Sequence, residues 1–427
     1  MSERPRRAVL MICDGLRADL VRPDVCPGLC ELSRSGTSFL KHRAIFPSVT
    51  RTSSASMATG HRPGQHGLHG NTMALPNGDG YAVHNVGEPK FVAAMRAARG
   101  RTLDTPVMAE RLKDDGGSII FSNVSPGAAY FHDPDGYGFV YHRAGSYGPG
   151  LTAVGDPLSV SPDTVGDRAM TARFCDDILL QRRPALSVLW LANPDKTMHG
   201  TALGSDEHLD SLAAVEACVK QVADTVATLR DGGEDILFLV GSDHGQETVR
   251  NVIPVERLLV DAGFKADGDS SEIVVAPQGT SALIYGAEKV SESRINDLAG
   301  WLVQQEWCDS VWANEQLGEV GMAPEGGLKI AISMAKSPEP NQHGVCGLSD
   351  VAVRFDTTEE TPGLGQHGGM GRYEQNPFLI AIGHGFAENA VSDSPSSIID
   401  IAPTILKHLG RPLTGLPGSA RQSASVS

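Results

Sequence analysis

Residues 9–15 read VLMICDG, an apolar run that ends on an acid and a glycine. A short apolar segment bounded by such a turn reads as a buried strand. Four further segments have the same form: Ser118 to Phe121, Leu186 to Ala192, Asp235 to Val240 and Pro377 to Ile382. Helical patterns separate them, and that alternation predicts a parallel sheet covered on both faces. The clearest helix spans Ser205 to Arg230. Ser205 caps it, Asp206 and Glu207 favour its first turn, and Leu209, Leu212, Val215, Val219, Val222 and Val226 keep helical spacing until Asp231, Gly232 and Gly233 end it. A second helix covers Ser396 to Leu409, with Gly410 behind it. The expected class is α/β, a mostly parallel central sheet flanked by helices.

Two stretches depart from this pattern. Residues 122–165 are rich in Gly, Pro, Asp and Tyr and read as a long loop that could form a binding rim. Residues 264–355 mix the strand-like pieces EIVVA, SALIYG, LKIAISMA and VAVRF with an amphipathic helix near Ser291 to Gln305, which predicts a small α+β insert or cap. The expected division is a catalytic core over 1–263 and 356–414, the insert over 264–355, and a small, polar, disordered tail over 415–427.

A chain of 427 residues with net charge -15 is not built to coat nucleic acid, which needs a basic surface. The charge is uneven, because residues 1–62 hold ten Lys/Arg against five Asp/Glu. That excess reads either as a cationic mouth for an anionic substrate or as a surface stripe of arginines. The seven cysteines suggest no disulfide framework; Cys26 and Cys30 form a lone CxxxC pair that reads as structural. Reduced thiols and the lack of a stretch near the ~20 apolar residues of a membrane span predict a cytoplasmic protein with no membrane partner. The basic N-terminus followed by AVLMIC only superficially echoes a signal peptide, since cleavage there would remove Asp14.

In doubly wound sheets ligands collect beyond the carboxyl ends of the strands. Asp14 directly follows the first strand, Asp243 and His244 follow another by two residues, and Asp195 comes shortly after a third, with His199 four positions on. His367 lies in a late GQHGG. Each piece alone is an ordinary turn, and the signal is their order and company. Three carboxylates and three imidazoles without thiolates suit two divalent ions, zinc first and manganese or iron as alternatives. Residues 46–71, FPSVTRTSSASMATGHRPGQHGLHGN, supply the hydroxyls Ser48, Thr50, Thr52, Ser53 and Ser54. A metal-bound hydroxyl at a helix N-terminus would be acidified, although Ser and Thr also gather there simply as caps. Residue chemistry does not choose among the five. His61, His66 and His69, in a Gly-rich turn, read as structural.

The pieces CDGLR, FPSVTRTSS, ATGHRPGQHGLHGN, NPDKTMHG, SDHGQ, GQHGG and DIAPTILKHLG span residues 13–410. In this order they resemble the alkaline phosphatase superfamily, specifically its nucleotide pyrophosphatase/phosphodiesterase branch and the related phosphonoacetate hydrolases. The resemblance implies a hydrolase with an alkaline phosphatase-like fold that cleaves phosphodiester or pyrophosphate bonds through a covalent phosphothreonine. It places Thr50 on the nucleophile, and Asp14, Asp243 and His244 on the ligands of the metal that activates it. Asp195, His199 and His367 fall on the ligands of the second metal, and Asn71 on the asparagine that donates to a phosphoryl oxygen.

Phosphonoacetate hydrolases carry a K-x-K after the strand that follows the nucleophile region, where it holds the substrate carboxylate. Here SIIF is followed by Ser122, Asn123, Val124 and Ser125, so that anchor is missing unless Lys90, Lys196 or an arginine replaces it. Tyr130, Phe131, Tyr137 and Tyr141 could stack on a flat leaving group or could simply pack their loop. Rival readings are a phosphonate C–P hydrolase, a phosphomutase, which the motif FPSVTRTSS disfavours, and a binding protein without turnover. The expected partner is a small phosphorus ester or phosphonate, and the candidate assembly is a homodimer.

Overall fold

A computed structural model describes residues 6–88, 90–355 and 361–423. Five strands organise the centre: β1 (Arg7–Cys13), β2 (Ser118–Ser122), β3 (Leu186–Leu191), β4 (Ile236–Gly241) and β5 (Leu379–Ile382). They belong to a ten-stranded sheet in which the order is β5-β4-β1-β3-β2. β4, β1, β3 and β2 run parallel, with Ile12 opposite Gly241 and Cys13 opposite Leu191. β5 runs antiparallel to β4, the one departure among these five from the parallel arrangement read in the sequence. Its apolar residues look the same in either direction, because burial on both faces sets composition and not polarity.

Four helices are used below: α1 (Thr50–Thr59), α2 (Asp195–Met198), α3 (Asp206–Asp231) and α4 (Ile401–His408). Alternate residues of β1 point to opposite faces. Val9, Met11 and Cys13 pack with Leu212, Val215, Val219, Val222 and Val226 of α3. Ala8, Leu10 and Ile12 pack with Met57 of α1 and with Ile401, Ile405 and Leu406 of α4. Both faces of the sheet are therefore sealed, as the unbroken apolar run of β1 requires. Ser205 caps α3 by accepting from the His208 amide at 3.3 Å.

A second, antiparallel sheet orders Ile273–Pro277, Ser281–Gly286, Leu328–Met334 and Cys308–Ala313. The helix Glu292–Leu302 covers one face through Ile295, Leu298 and Leu302. Val274, Leu283 and Tyr285 on the other face pack against Phe46, Leu68 and Met73, so this sheet leans directly on the segment that carries Thr50. The piece VAVRF goes elsewhere: Cys346–Val353 pairs in parallel with Glu247–Pro254. The expected boundary at 356 falls on residues outside those described.

The stretch 122–165 is not one long loop. It folds into the helix Pro126–His132 and the strands Phe139–His142, Tyr147–Gly148 and Thr152–Ala153, the first of them parallel to β2. Its Gly, Pro and Asp residues punctuate short elements that single-window patterning cannot resolve. Residues 415–423, expected to be a disordered tail, are likewise held: Arg421 bonds Asp400, and Gln422 donates to the Thr404 carbonyl at 2.7 Å. Residues 424–427 of that expected tail lie outside those described. Among the described residues no helix is long and apolar enough to cross a membrane.

Candidate active site

The carboxyl ends of three adjacent parallel strands bring the acidic residues together. Asp14 follows β1, Asp195 opens α2 after β3, and Asp243 with His244 follows β4. Gly15 makes the approach possible: its φ is +71°, and a Cβ there would lie 3.0 Å from Asp195 Cβ. The Asp195 amide donates to the Asp14 carbonyl at 3.1 Å, and the Gly15 amide donates to Asp243 Oδ1 at 3.2 Å.

Two clusters result. Asp14, Asp243 and His244 offer ligand atoms within 4.8 Å of one another, and so do Asp195, His199 and His367. The first cluster is fully buried, whereas the His199 side chain is 34% exposed and opens the second to solvent. The clusters adjoin: the rings of His244 and His367 stack at 3.7 Å, and His367 Nε2 lies 3.5 Å from Asp195 Oδ1. Backbone carbonyls orient both imidazoles. His244 Nδ1 meets the Gly245 carbonyl at 3.0 Å and His367 Nδ1 the Ser48 carbonyl at 2.7 Å, which turns each Nε2 toward the carboxylates.

Asp14 Oδ1 and Asp243 Oδ2 are buried with no hydrogen-bond partner among the described residues. Buried carboxylate oxygens of that kind are costly unless a cation faces them. Burial raises the Asp14 carboxyl well above its usual range, and the nearby charges of Asp243 and Asp195 add to that. Asp195 goes the other way: burial would raise it, but the imidazoles of His199, His367 and His244 outweigh burial and hold it low. Burial, reinforced by His244, keeps the His367 imidazole well below its usual range and hence neutral. Oxygen and nitrogen donors, a neutral imidazole and orphaned anionic oxygens fit divalent ions in both clusters.

Of the five candidate hydroxyls, Thr50 faces these clusters: its Oγ1 lies 3.1 Å from His244 Nε2. The Ser48 and Ser54 hydroxyls are spent on the carbonyls of Gly369 and Ala128, and Thr52 and Ser53 are buried without partners among the described residues. Thr50 is the first residue of α1, after Val49, whose side chain gives no cap. First-turn amides that no side chain takes up attract anions. Asn71 sits beside it, its Oδ1 accepting from the Arg51 amide at 3.2 Å, which leaves Nδ2 to donate. His61, His66 and His69 are occupied structurally, by Gly415, Ser56 and Tyr285 respectively.

A match to the model of the type I phosphodiesterase/nucleotide pyrophosphatase family extends over residues 8–324. The chain belongs to this family. No curated protein matches it. Among solved structures, this family member is similar to murine ectonucleotide pyrophosphatase/phosphodiesterase 5, an inactive variant in complex with AMP, at 16% identity over 97% of each chain and a TM-score of 0.69. It is also similar to the phosphonoacetate hydrolase of Sinorhizobium meliloti 1021 in complex with phosphonoformate, at 17% identity over 95% of this chain and 96% of that one, TM-score 0.68. The human ectonucleotide pyrophosphatase/phosphodiesterase 5 gives 16% identity over 97% of each chain and a TM-score of 0.63. These likenesses carry the alkaline phosphatase-like fold, and family membership makes the chain a phosphoester hydrolase.

Three features of this phosphodiesterase-family site were not legible in its sequence. Trp190 Nε1 donates to Asp14 Oδ2 at 3.0 Å, fixing that carboxylate from inside β3. Gln278, in the hairpin of the antiparallel sheet, accepts from the Asn71 amide at 2.7 Å, and Thr280 donates to the His367 carbonyl at 3.1 Å. Arg51 reaches from α1 to Ser125 Oγ at 3.1 Å and the Asn71 carbonyl at 3.0 Å. A cation directly after a candidate nucleophile was the available hint. Of the four aromatic residues singled out in the 122–165 stretch, Phe131 and Tyr141 pack inward, Phe131 fully buried and Tyr141 tilted against Phe121 with ring centroids 4.6 Å apart, while Tyr130 and Tyr137 are partly exposed.

Gly368 tests how closely His367 is seated. Its φ is +129°, and a Cβ there would lie 1.6 Å from the Gln278 carbonyl. Gly368→Ala should cost about 3 kcal/mol or more of stability, visible as a lower urea midpoint, and should weaken metal retention.

Proposed function

We propose that this hydrolase cleaves phosphodiester or pyrophosphate-type bonds through a covalent intermediate on Thr50, with two divalent ions held by Asp14, Asp243 and His244 and by Asp195, His199 and His367. The observation that carries the reading is the Thr50 hydroxyl at the uncapped start of α1, 3.1 Å from His244. Zinc, or manganese or iron in its place, would supply the positive charge that acidifies the hydroxyl and offsets charge gathering on the phosphoryl oxygens. Thr50 Oγ1 loses its proton to solvent and bonds to phosphorus as the P–O bond to the leaving group breaks, and the departing oxygen leaves as an alcohol or a phosphate that takes up a proton from solvent. Asn71 Nδ2, with Oδ1 held by the Arg51 amide, and the Thr50 amide donate to the phosphoryl oxygens. Water then cleaves the phosphothreonine ester and restores the hydroxyl. The more open His199 side gives water and the leaving group their path.

A specific observation favours a second reading, phosphonate C–P hydrolysis. Ser125 follows β2 at the place where the resemblance puts a lysine pair, and Arg51 lies against it. Burial lowers the guanidinium only to about 10, with Asp14 and Asp195 working against that drop, so it is charged at neutral pH and within the field of the site. Lys90, by contrast, pairs with Glu88 and its side chain is 83% exposed. Arg51 is thus the arginine that could anchor a substrate carboxylate.

Steady-state rates of zinc- or manganese-loaded protein separate the readings. Bis(4-nitrophenyl) phosphate and a nucleoside 5′-ester of 4-nitrophenol are set against 4-nitrophenyl phosphate and phosphonoacetate. Preference for the diesters supports the phosphodiesterase reading, and preference for phosphonoacetate moves the enzyme to the C–P reading. Arg51→Ala should raise KM for substrates with an additional anionic group by about tenfold to 100-fold, the loss of one or two charge-assisted hydrogen bonds, and should spare bis(4-nitrophenyl) phosphate. Equal losses on both substrate types would show that Arg51 merely holds Asn71.

A further inference from the structure

The arginine excess of residues 1–62 does not form one cationic mouth. Arg7 pairs with Glu234, Arg17 is buried against the Gln246 carbonyl, and Arg51 serves the site above. Arg43 and Arg62 go elsewhere, to a cavity of about 860 Å³ that they share with Lys336, Arg372 and Arg421. Neither Thr50, Asn71 nor any of the six candidate metal ligands lines it. The only acid in its wall is Asp400, which Arg421 already neutralises. Lys336 pairs with Asp309 at 3.0 Å. Arg43, Arg62 and Arg372 have no acidic partner within ion-pair distance among the described residues.

Three exposed guanidinium groups without an acidic partner face one concavity, and a bound anion would offset their mutual repulsion there. We propose that this cavity is a second anion site, separate from the catalytic centre, that takes a small phosphate-bearing molecule. Guanidinium forks match phosphate oxygens two at a time. The open concavity has room for a ligand of metabolite size, and the strongly acidic remainder of the chain disfavours a long polyanion laid across the surface. The floor also connects to the catalytic segments. The Ala44 amide donates to the Gln375 carbonyl at 3.2 Å, and the Gln375 side chain donates to the carbonyls of Ile45 and Gly369. A bound anion therefore rests on the same backbone that leads to Thr50 and from His367. The proposal is independent of the phosphodiesterase reading, since it requires no turnover.

The test is calorimetric titration of the metal-loaded enzyme with inorganic phosphate at fixed ionic strength, beside the inhibition constant of phosphate in the diester assay. Arg43→Ser/Arg372→Ser removes two exposed side chains outside the catalytic machinery and should leave the fold intact. The wild type should show a phosphate site beyond the inhibitory one. The double variant should bind there about 100-fold more weakly, with kcat and the inhibition constant unchanged. Arg43→Lys/Arg372→Lys, which keeps the charge, should recover part of the binding. Identical isotherms for wild type and Ser variant would overturn the proposal, as would a wild-type isotherm fully explained by the inhibitory site. Uptake of RNA or an acidic peptide without that second phosphate site would also overturn it and assign the patch to a macromolecule.

Discussion

Thr50→Ala is expected to lower kcat on bis(4-nitrophenyl) phosphate by about 10⁴-fold or more, the scale seen when a covalent nucleophile is removed from an otherwise intact site. The fold should survive. Thr50 starts α1 without capping it, because the N-cap is Val49, and alanine is the better helix former. Loss of one buried methyl and hydroxyl costs about 1 kcal/mol, to be read from a denaturant midpoint. Metal content should not change, since all six carboxylate and imidazole candidates remain. Thr50→Ser, which keeps the hydroxyl, should retain measurable turnover. A Thr50→Ala enzyme close to wild type would remove the nucleophile assignment, and Ser48, Thr52, Ser53 and Ser54 offer no successor in contact with His244.

Removal of Asp243 should act on the metals. Asp243→Ala is expected to reduce occupancy to about one ion per chain by elemental analysis and to slow hydrolysis by at least about 10³-fold, the several kcal/mol that a Lewis-acidic ion contributes. Asp243 and Asp14 are buried together, and each leaves an oxygen without a hydrogen-bond partner among the described residues. The isosteric Asp243→Asn relieves that repulsion. Chelator-treated Asp243→Asn should therefore melt above chelator-treated wild type, while the order reverses once metal is restored. Two retained ions in Asp243→Ala would break the proposed division of ligands. An Asn variant that melts lower than the parent in chelator would contradict the electrostatic account.

Much of the site was legible because it lies at strand ends. Asp14, Asp243 and His244 follow apolar runs whose burial is written in composition, and parallel neighbours deliver their carboxyl ends to one place. Residue chemistry alone narrowed the nucleophile only to a cluster of five hydroxyls, and the resemblance singled out Thr50; the helical rotation that presents one of the five to His244 depends on where α1 starts. The rest depends on partners far away in the chain. The antiparallel direction of β5, the Gln278 hairpin that seats Asn71, and the capture of Arg421 by Asp400 leave no local periodicity to read. The segmented 122–165 stretch was hidden for a different reason. Strands as short as Tyr147–Gly148 and Thr152–Ala153 are too brief to establish alternation.

A covalent phosphothreonine leaves its record in the stereochemistry at phosphorus. A P-chiral phosphorothioate diester hydrolysed in ¹⁸O-enriched water yields a product whose configuration counts the displacements. Attack by Thr50 followed by attack of water gives net retention, the expected result. Net inversion would mean that water attacks the diester directly, and Thr50 would then be no nucleophile.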